Sequence, residues 1–129
     1  MPFTVNFERS PQYLRVCVAG PASLKDYFDL IDAAGRETTE HGDRQALVDL
    51  RHVVGRLKFT DQYFIGELVG KKLQHLRKLA SLVASDPTSY NSETVANRNG
   101  VNLRSFDDEA KAVAWLLDVP GPDQEGSLK

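Results

Sequence analysis

The residues of this chain that could do chemistry fall in three short clusters: Arg51-His52, Thr60-Asp61 followed by Tyr63-Phe64, and Ser85-Asp86 with Thr88 and Tyr90. Guanidinium, imidazole, hydroxyl and carboxylate groups bind polar or anionic ligands, and aromatic rings add apolar contact area. Each residue also has a purely structural use. Arg51 can pair with a carboxylate, Thr60 can cap a helix and Asp86-Pro87 can form a turn, so the clusters alone do not define an active site.

Reaction chemistry has less support. His41, His52 and His75 are too scattered to show metal-ligand spacing, and no cysteine or carboxylate pair completes a set. There is no Gly-x-Ser-x-Gly elbow, no serine near a histidine in the expected layout, and Gly55 stands alone in Val53-Val-Gly-Arg-Leu57. The expectation is a protein that is not an enzyme and uses no cofactor and no metal. Cys17, the single cysteine, lies between Val16 and Val18, reads as a half-buried inert thiol and leaves no intramolecular disulfide to form.

Lys71, Lys72, His75, Arg77 and Lys78 form the one basic cluster, which the negative end of a helix dipole explains. A membrane-surface or RNA patch is the alternative, and nucleic acid is the weaker of those two because no exposed aromatics are interleaved. A formal net charge of −2 provides no global field for nucleic acid or an anionic membrane. The 129 residues suit one domain with one core, placed at 1–119, with 120–129 read as a disordered tail. Charged residues at 26% and hydrophobic ones at 41% argue against both disorder and a fibrous class. The N-terminus lacks the basic flank and apolar core of a signal peptide, and no apolar run approaches the roughly 18 residues that span a bilayer, so a cytoplasmic protein is expected.

These side chains need elements to position them. Phe3, Val5 and Phe7 alternate with polar residues, as do Leu14, Val16 and Val18 after the link Glu8 to Gln12, which predicts a β-hairpin. Ser23 is the expected N-cap of a helix with Leu24, Tyr27, Phe28, Ile31 and Ala34 on one face and Gly42 as its terminator. Ala46-Leu-Val-Asp-Leu50 has almost no alternation and reads as a central parallel strand, in which Asp49 must find a partner or face an opening. Thr60 is the expected N-cap of a second helix reaching towards Lys78, with Asp61 at its positive end and Phe64, Ile65, Leu68, Val69, Leu73 and Leu76 as the inner stripe.

Gly66 and Gly70 predict a close approach to a neighbouring element, either by packing on the sheet or at a dimer seam. Leu79 to Ala84 predicts a strand, Tyr90 to Ala96 a short helix closed by Asn99-Gly100, and Val101 to Arg104 a final strand. Asp107 or Asp108 opens the last helix, with Ala110, Val113, Ala114, Leu116 and Leu117 on its apolar face. The order β-β-α-β-α-β-α-β-α implies an α/β domain with a mostly parallel sheet of about five strands, an antiparallel N-terminal edge strand and about four helices.

In this order the chain resembles the STAS superfamily, and more closely its SpoIIAA-like branch of stand-alone bacterial proteins, which is grouped with lipid-binding CRAL-TRIO (Sec14) domains. The resemblance covers Phe3 to Asp118 and rests on three features. These are the element order, the passage from Leu47-Val-Asp-Leu-Arg51 to Phe59-Thr-Asp-Gln-Tyr-Phe64, and the ending from Val101 to Leu116 with its Phe106, acidic residues and Trp115-Leu116. In STAS-type anti-sigma-factor antagonists the equivalent of the second helix begins Asp-Ser-Ser-Gly, and a partner kinase phosphorylates the second serine. Asp61 matches the aspartate, but Gln62 and Tyr63 stand where the serines would be, so the resemblance does not bring the phosphoswitch to this chain.

Two functional classes stay open. One is a non-catalytic binding or regulatory module that meets a protein partner, and a second copy in a homodimer, on a surface formed by Val53 to Lys72. The other, implied by the lipid-binding relatives, is a carrier or sensor of a small apolar ligand such as a lipid, lodged among Tyr27, Phe28, Phe64, Ile65 and Leu68. Those residues serve equally well as core. The candidate binding residues are Arg51, His52, Thr60, Asp61, Tyr63, Phe64, Asp86 and Tyr90.

Overall fold

A computed structural model describes residues 3–55, 57–84, 95 and 97–118, and the structural statements below concern these. Strands β1 (Thr4–Arg9), β2 (Leu14–Pro21), β3 (Gln45–Val54), β4 (Lys78–Leu82) and β5 (Leu103–Phe106) form one sheet in that spatial order. β1 is antiparallel to β2, and every later pair is parallel. The hairpin closes through Ser10, whose hydroxyl donates to the Tyr13 carbonyl at 2.9 Å and accepts from the Tyr13 N–H at 3.2 Å. The expected antiparallel edge strand on a parallel sheet is thus present.

Helix α1 (Leu24–His41) connects β2 to β3 with both ends signed in sequence. Ser23 Oγ accepts from the Asp26 N–H at 3.1 Å, and Gly42 takes the left-handed conformation at φ 69° with its N–H on the carbonyls of Thr38 and Thr39. Its buried face is Leu30, Ile31, Ala34 and Thr38, with Tyr27 packed beside it. Phe28 stands at the exposed margin, because the inward stripe at i, i+3, i+4 and i+7 starts from Tyr27.

Helix α2 (Phe59–Lys72) begins earlier and ends sooner than its sequence suggests. Lys58, extended at φ −61° and ψ 157°, is the N-cap, and its carbonyl accepts the Gln62 N–H at 3.0 Å. Thr60 is therefore inside the first turn and does not cap the helix. Gln62, Ile65 and Val69 turn inward, with Leu68 partly buried, which leaves Phe64 half-exposed and outside the inner stripe. Gln62 satisfies its buried amide by donating to the Leu57 carbonyl at 3.0 Å. Leu73 and Leu76 lie past the helix end and still pack in the core.

The basic cluster is divided accordingly. Lys72 pairs with Asp32 at 3.2 Å, joining α2 to α1, whereas Lys78 lies in β4. The Lys78 ammonium donates to the carbonyls of Trp115 and Asp118 and sits 5.0 Å from the centre of the Trp115 ring. It therefore serves the C-terminal end of a different helix from the one expected.

That helix is α3 (Glu109–Leu117), opened by Asp108, whose carboxylate accepts the Ala110 N–H at 2.8 Å. Ala112 and Leu116 make its buried contact, while Ala110 and Ala114 face outward, contrary to the expected stripe. α1 and α2 cover one face of the sheet and pack on Leu14, Val16, Val18, Ala46 and Leu79. α3 covers part of the opposite face, over Leu47, Ala80 and Leu82.

Gly70 is a point of close approach, as its lack of a side chain suggests. A Cβ there would lie 2.3 Å from the Asn99 Cβ, so its neighbour is the turn before β5 and not the sheet. The expected helix at Tyr90 to Ala96, apart from the helical and buried Val95, lies outside the described residues. So do Ser85, Asp86, Thr88 and the 120–129 segment.

Candidate functional site

Two groupings of side chains stand out, one apolar and one charged. The apolar one forms where β3 ends and α2 starts. β3 continues past Leu50 to Val54, and α2 turns Gln62, Ile65 and Val69 inward, so the intervening side chains project outward. Val54 is 69% exposed, Phe59 70%, Tyr63 44% and Phe64 49%, and the rings of Tyr63 and Phe64 meet edge to face with centroids 6.1 Å apart. Phe59 and Tyr63 stand one turn apart on α2 and, with Phe64, form an exposed aromatic strip, the kind of feature that distinguishes a contact surface from scattered surface hydrophobics.

Of the sequence candidates, Thr60, Asp61, Tyr63 and Phe64 share the first two turns of α2, and His52 is exposed near the end of β3. Arg51 is directed elsewhere, to the charged grouping. Asp86 and Tyr90 lie outside the described residues. Val54 and Phe59 fall within the Val53 to Lys72 surface expected from the sequence but are not among its singled-out binding residues. The available signal was their position, since each is an apolar residue just outside a predicted element, where no core contact would bury it.

The charged grouping lies on the opposite face of the sheet, where α3 meets β2 and β3. Cys17 is in register with Asp49, so Arg15 and Cys17 of β2 share a face with Asp49 and Arg51 of β3. β3 carries one extra residue here, because Cys17 pairs with Asp49 while Ala19 pairs with His52. Asp49 is 3% exposed and finds the partners that its burial demands. Arg51 grips it in two-pronged fashion, Nε to Oδ1 at 2.9 Å and Nη2 to Oδ2 at 2.8 Å, and Arg15 Nη2 reaches Oδ2 at 2.9 Å.

Both arginines then extend to Glu109, the first residue of α3. Arg15 Nε and Nη2 contact its two oxygens at 3.0 and 3.1 Å, and Arg51 Nη2 lies 3.0 Å from Oε1. The Arg51 hydrogen bonds hold Asp49 below the usual carboxylate range against the opposing effect of burial, and Arg15 does the same for Glu109. The pair of carboxylates in turn raises Arg51 above its ordinary value, chiefly through Asp49. Burial pushes the Cys17 thiol up although the Arg15 guanidinium beside it pulls the other way, which describes an unreactive thiol.

Asp49 and Arg51 drew notice in the sequence, but Arg15 and Glu109 did not. Their partnership spans 94 positions and becomes visible only once strand register is known. Elsewhere, the fully buried Thr38 hydroxyl lies 2.7 Å from His75 Nε2 and 2.8 Å from the Ala34 carbonyl, while His41 Nδ1 lies 3.0 Å from the Glu37 carbonyl. Among the described residues no group of three or more His, Cys, Asp or Glu side chains is arranged to hold a metal ion. No described helix is long and apolar enough to cross a membrane.

The architecture is an α/β domain with a SpoIIAA-like fold. The chain is similar to the crystal structure of an uncharacterized protein of the DUF3478 family with a SpoIIAA-like fold from Shewanella loihica PV-4. The likeness has a TM-score of 0.57 at 19% sequence identity and covers 89% of this chain and 93% of that one. At that identity it is a likeness of fold. No family model and no curated protein matches the sequence.

Proposed function

We propose that this chain is a non-catalytic binding module of the STAS type that works through protein–protein contacts and without a phosphoserine switch. The observation that carries the reading is the exposed strip of Phe59, Tyr63 and Phe64 in the first turns of α2. This helix is the one that holds the phosphorylated serine in the family's antagonists. Here Gln62, at one of the two serine positions, is buried on the Leu57 carbonyl, and Tyr63, at the other, presents an aromatic ring. Residues of this kind supply contact area, not a phosphoacceptor of the family's type. The strip serves a partner protein, and a second copy of the chain is the simplest such partner.

The test compares wild type with a Phe59→Ser/Phe64→Ser variant by light scattering and by affinity capture from the native host. A dimer or specific partner that wild type holds and the folded double variant loses supports the reading. A monomeric wild type that retains no partner contradicts it.

A second reading is a carrier or sensor of a small apolar ligand such as a lipid. It is favoured by the partly buried Leu24, Tyr27, Val53, Leu57 and Leu68, which pack against the core cluster and continue it towards solvent. Native mass spectrometry tests it. A co-purifying lipid-sized ligand, with a thermal shift on adding the same class of lipid, supports it; neither signal rules it out.

A further inference from the structure

The charged grouping on the α3 face is arranged around a single carboxylate. Three N–H groups from two arginines converge on Glu109, with Arg15 taking both oxygens and Arg51 adding to Oε1, all between 3.0 and 3.1 Å. Behind them the buried Asp49 accepts from both guanidinium groups, so Arg15, Arg51 and Asp49 together carry one net positive charge, which Glu109 shares with the exposed Glu8, whose Oε1 lies 3.5 Å from Arg15 Nη1.

Glu109 is not what anchors the helix. Its side chain is 37% exposed, the helix behind it is held by Ala112 and Leu116, and Asp108 continues to cap the helix when the glutamate rotates away. The approach is also accessible. β1 flanks the clamp with Asn6 opposite Cys17 and Glu8 opposite Arg15, and both Asn6 and Glu8 are exposed.

We propose that Arg15 and Arg51, braced by Asp49, form a carboxylate-binding clamp for an acidic ligand, with Glu109 as a tethered occupant that the ligand displaces. The clamp lies across the sheet from α2 and is independent of the aromatic strip. Glu109 acts as a built-in competitor. A side chain tethered this closely competes at an effective concentration on the order of millimolar, so a simple carboxylate binds wild type poorly and binds well once Glu109 is removed. The acidic group comes either from a free small carboxylate or from the side chains of a protein.

The test follows the Arg15 and Arg51 Nε–Hε signals by NMR while succinate or a hexaglutamate peptide is added to wild type and to a Glu109→Ala variant. Glu109→Gln replaces the alanine variant if that chain does not fold. Saturable shifts of both arginines at about tenfold lower ligand concentration in the variant than in wild type support the clamp. Saturation by succinate assigns a free carboxylate, and saturation by the peptide alone assigns acidic protein side chains. The proposal is overturned if neither probe shifts these signals in a folded variant, or if binding survives Arg15→Gln combined with Arg51→Gln.

Discussion

The two faces of the sheet are made by different physics. Under α1 and α2, β2 contributes Leu14, Val16 and Val18, each at most 3% exposed, to a continuous apolar layer. On the α3 face the same strand contributes Arg15 and Cys17, and β3 contributes Asp49 and Arg51 beside the wholly buried Leu47. Burial of hydrocarbon is non-directional and tolerates approximate fit, whereas a buried carboxylate requires particular donors at particular distances. The first face therefore gives cohesion. The second face adds directional contacts between strands, where Asp49 holds Arg15 of β2 and Arg51 of β3 together.

The largest losses belong to the hydrocarbon on both faces: Leu14→Ala on the first and Leu82→Ala on the second, both fully buried, each cost about 3 kcal/mol in urea unfolding. A much smaller loss for Leu82→Ala would mean that the α3 face is held by its ions. Asp49→Ala comes next at roughly 2–3 kcal/mol, since it leaves two clustered guanidinium groups without the carboxylate between them. If Asp49→Ala is neutral, the second face does not depend on its charges.

Gly70→Ala costs about 1–2 kcal/mol, because the new methyl group lands on Asn99 and the turn before β5 has to shift. Thermal unfolding with circular dichroism is sufficient to see it. Glu109→Gln removes a half-exposed partner and costs below about 1 kcal/mol near neutral pH.

Its clearer signature is in acid. Asp49 and Glu109 are held below their ordinary values of 3.8 and 4.5, so each contributes stability that is complete above the unfolded value and is lost as pH falls through the folded one. Urea midpoints should therefore drop as pH is lowered from about 5 towards about 3, and drop less steeply in Glu109→Gln. A variant with the same acid slope as wild type would remove Glu109 from the account. Phe59→Ser has the smallest effect on stability, within about 0.5 kcal/mol, because the ring is mostly in water already.

Most of the fold was legible in the sequence because local rules happened to agree with tertiary ones. Alternation in Phe3 to Phe7 and Leu14 to Val18 gave the hairpin, and Ser23 and Gly42 marked both ends of α1. Thr60 and Asp61 are the better capping residues by type, so the sequence pattern places the start of α2 too late. Lys58 takes the N-cap through its backbone alone, and no side chain announces it. Phe64 is apolar and so reads as inward by type, but the buried, bonded Gln62 takes that place beside Ile65 and Val69 in the inner stripe.

The candidate sites were legible only in part. Arg51 and Asp49 were visible as a charged pair near a strand end, but their connection to Arg15 and Glu109 depends on the parallel register of β2 with β3 and on where α3 docks. Neither is written locally. The aromatic strip is legible as part of the Val53 to Lys72 surface, whereas the exposure of Phe59 depends on α2 starting one residue before Thr60.

The proposed contact surface is the outward side of the first turns of α2. Site-specific photo-crosslinking in the native host tests it directly, with a benzophenone amino acid at Phe59 and, as a control, at the exposed Arg36 of α1. The account predicts a discrete crosslinked product, with a second copy or another protein, from position 59 and none from position 36. No product at position 59, or equal products at both positions, would contradict it.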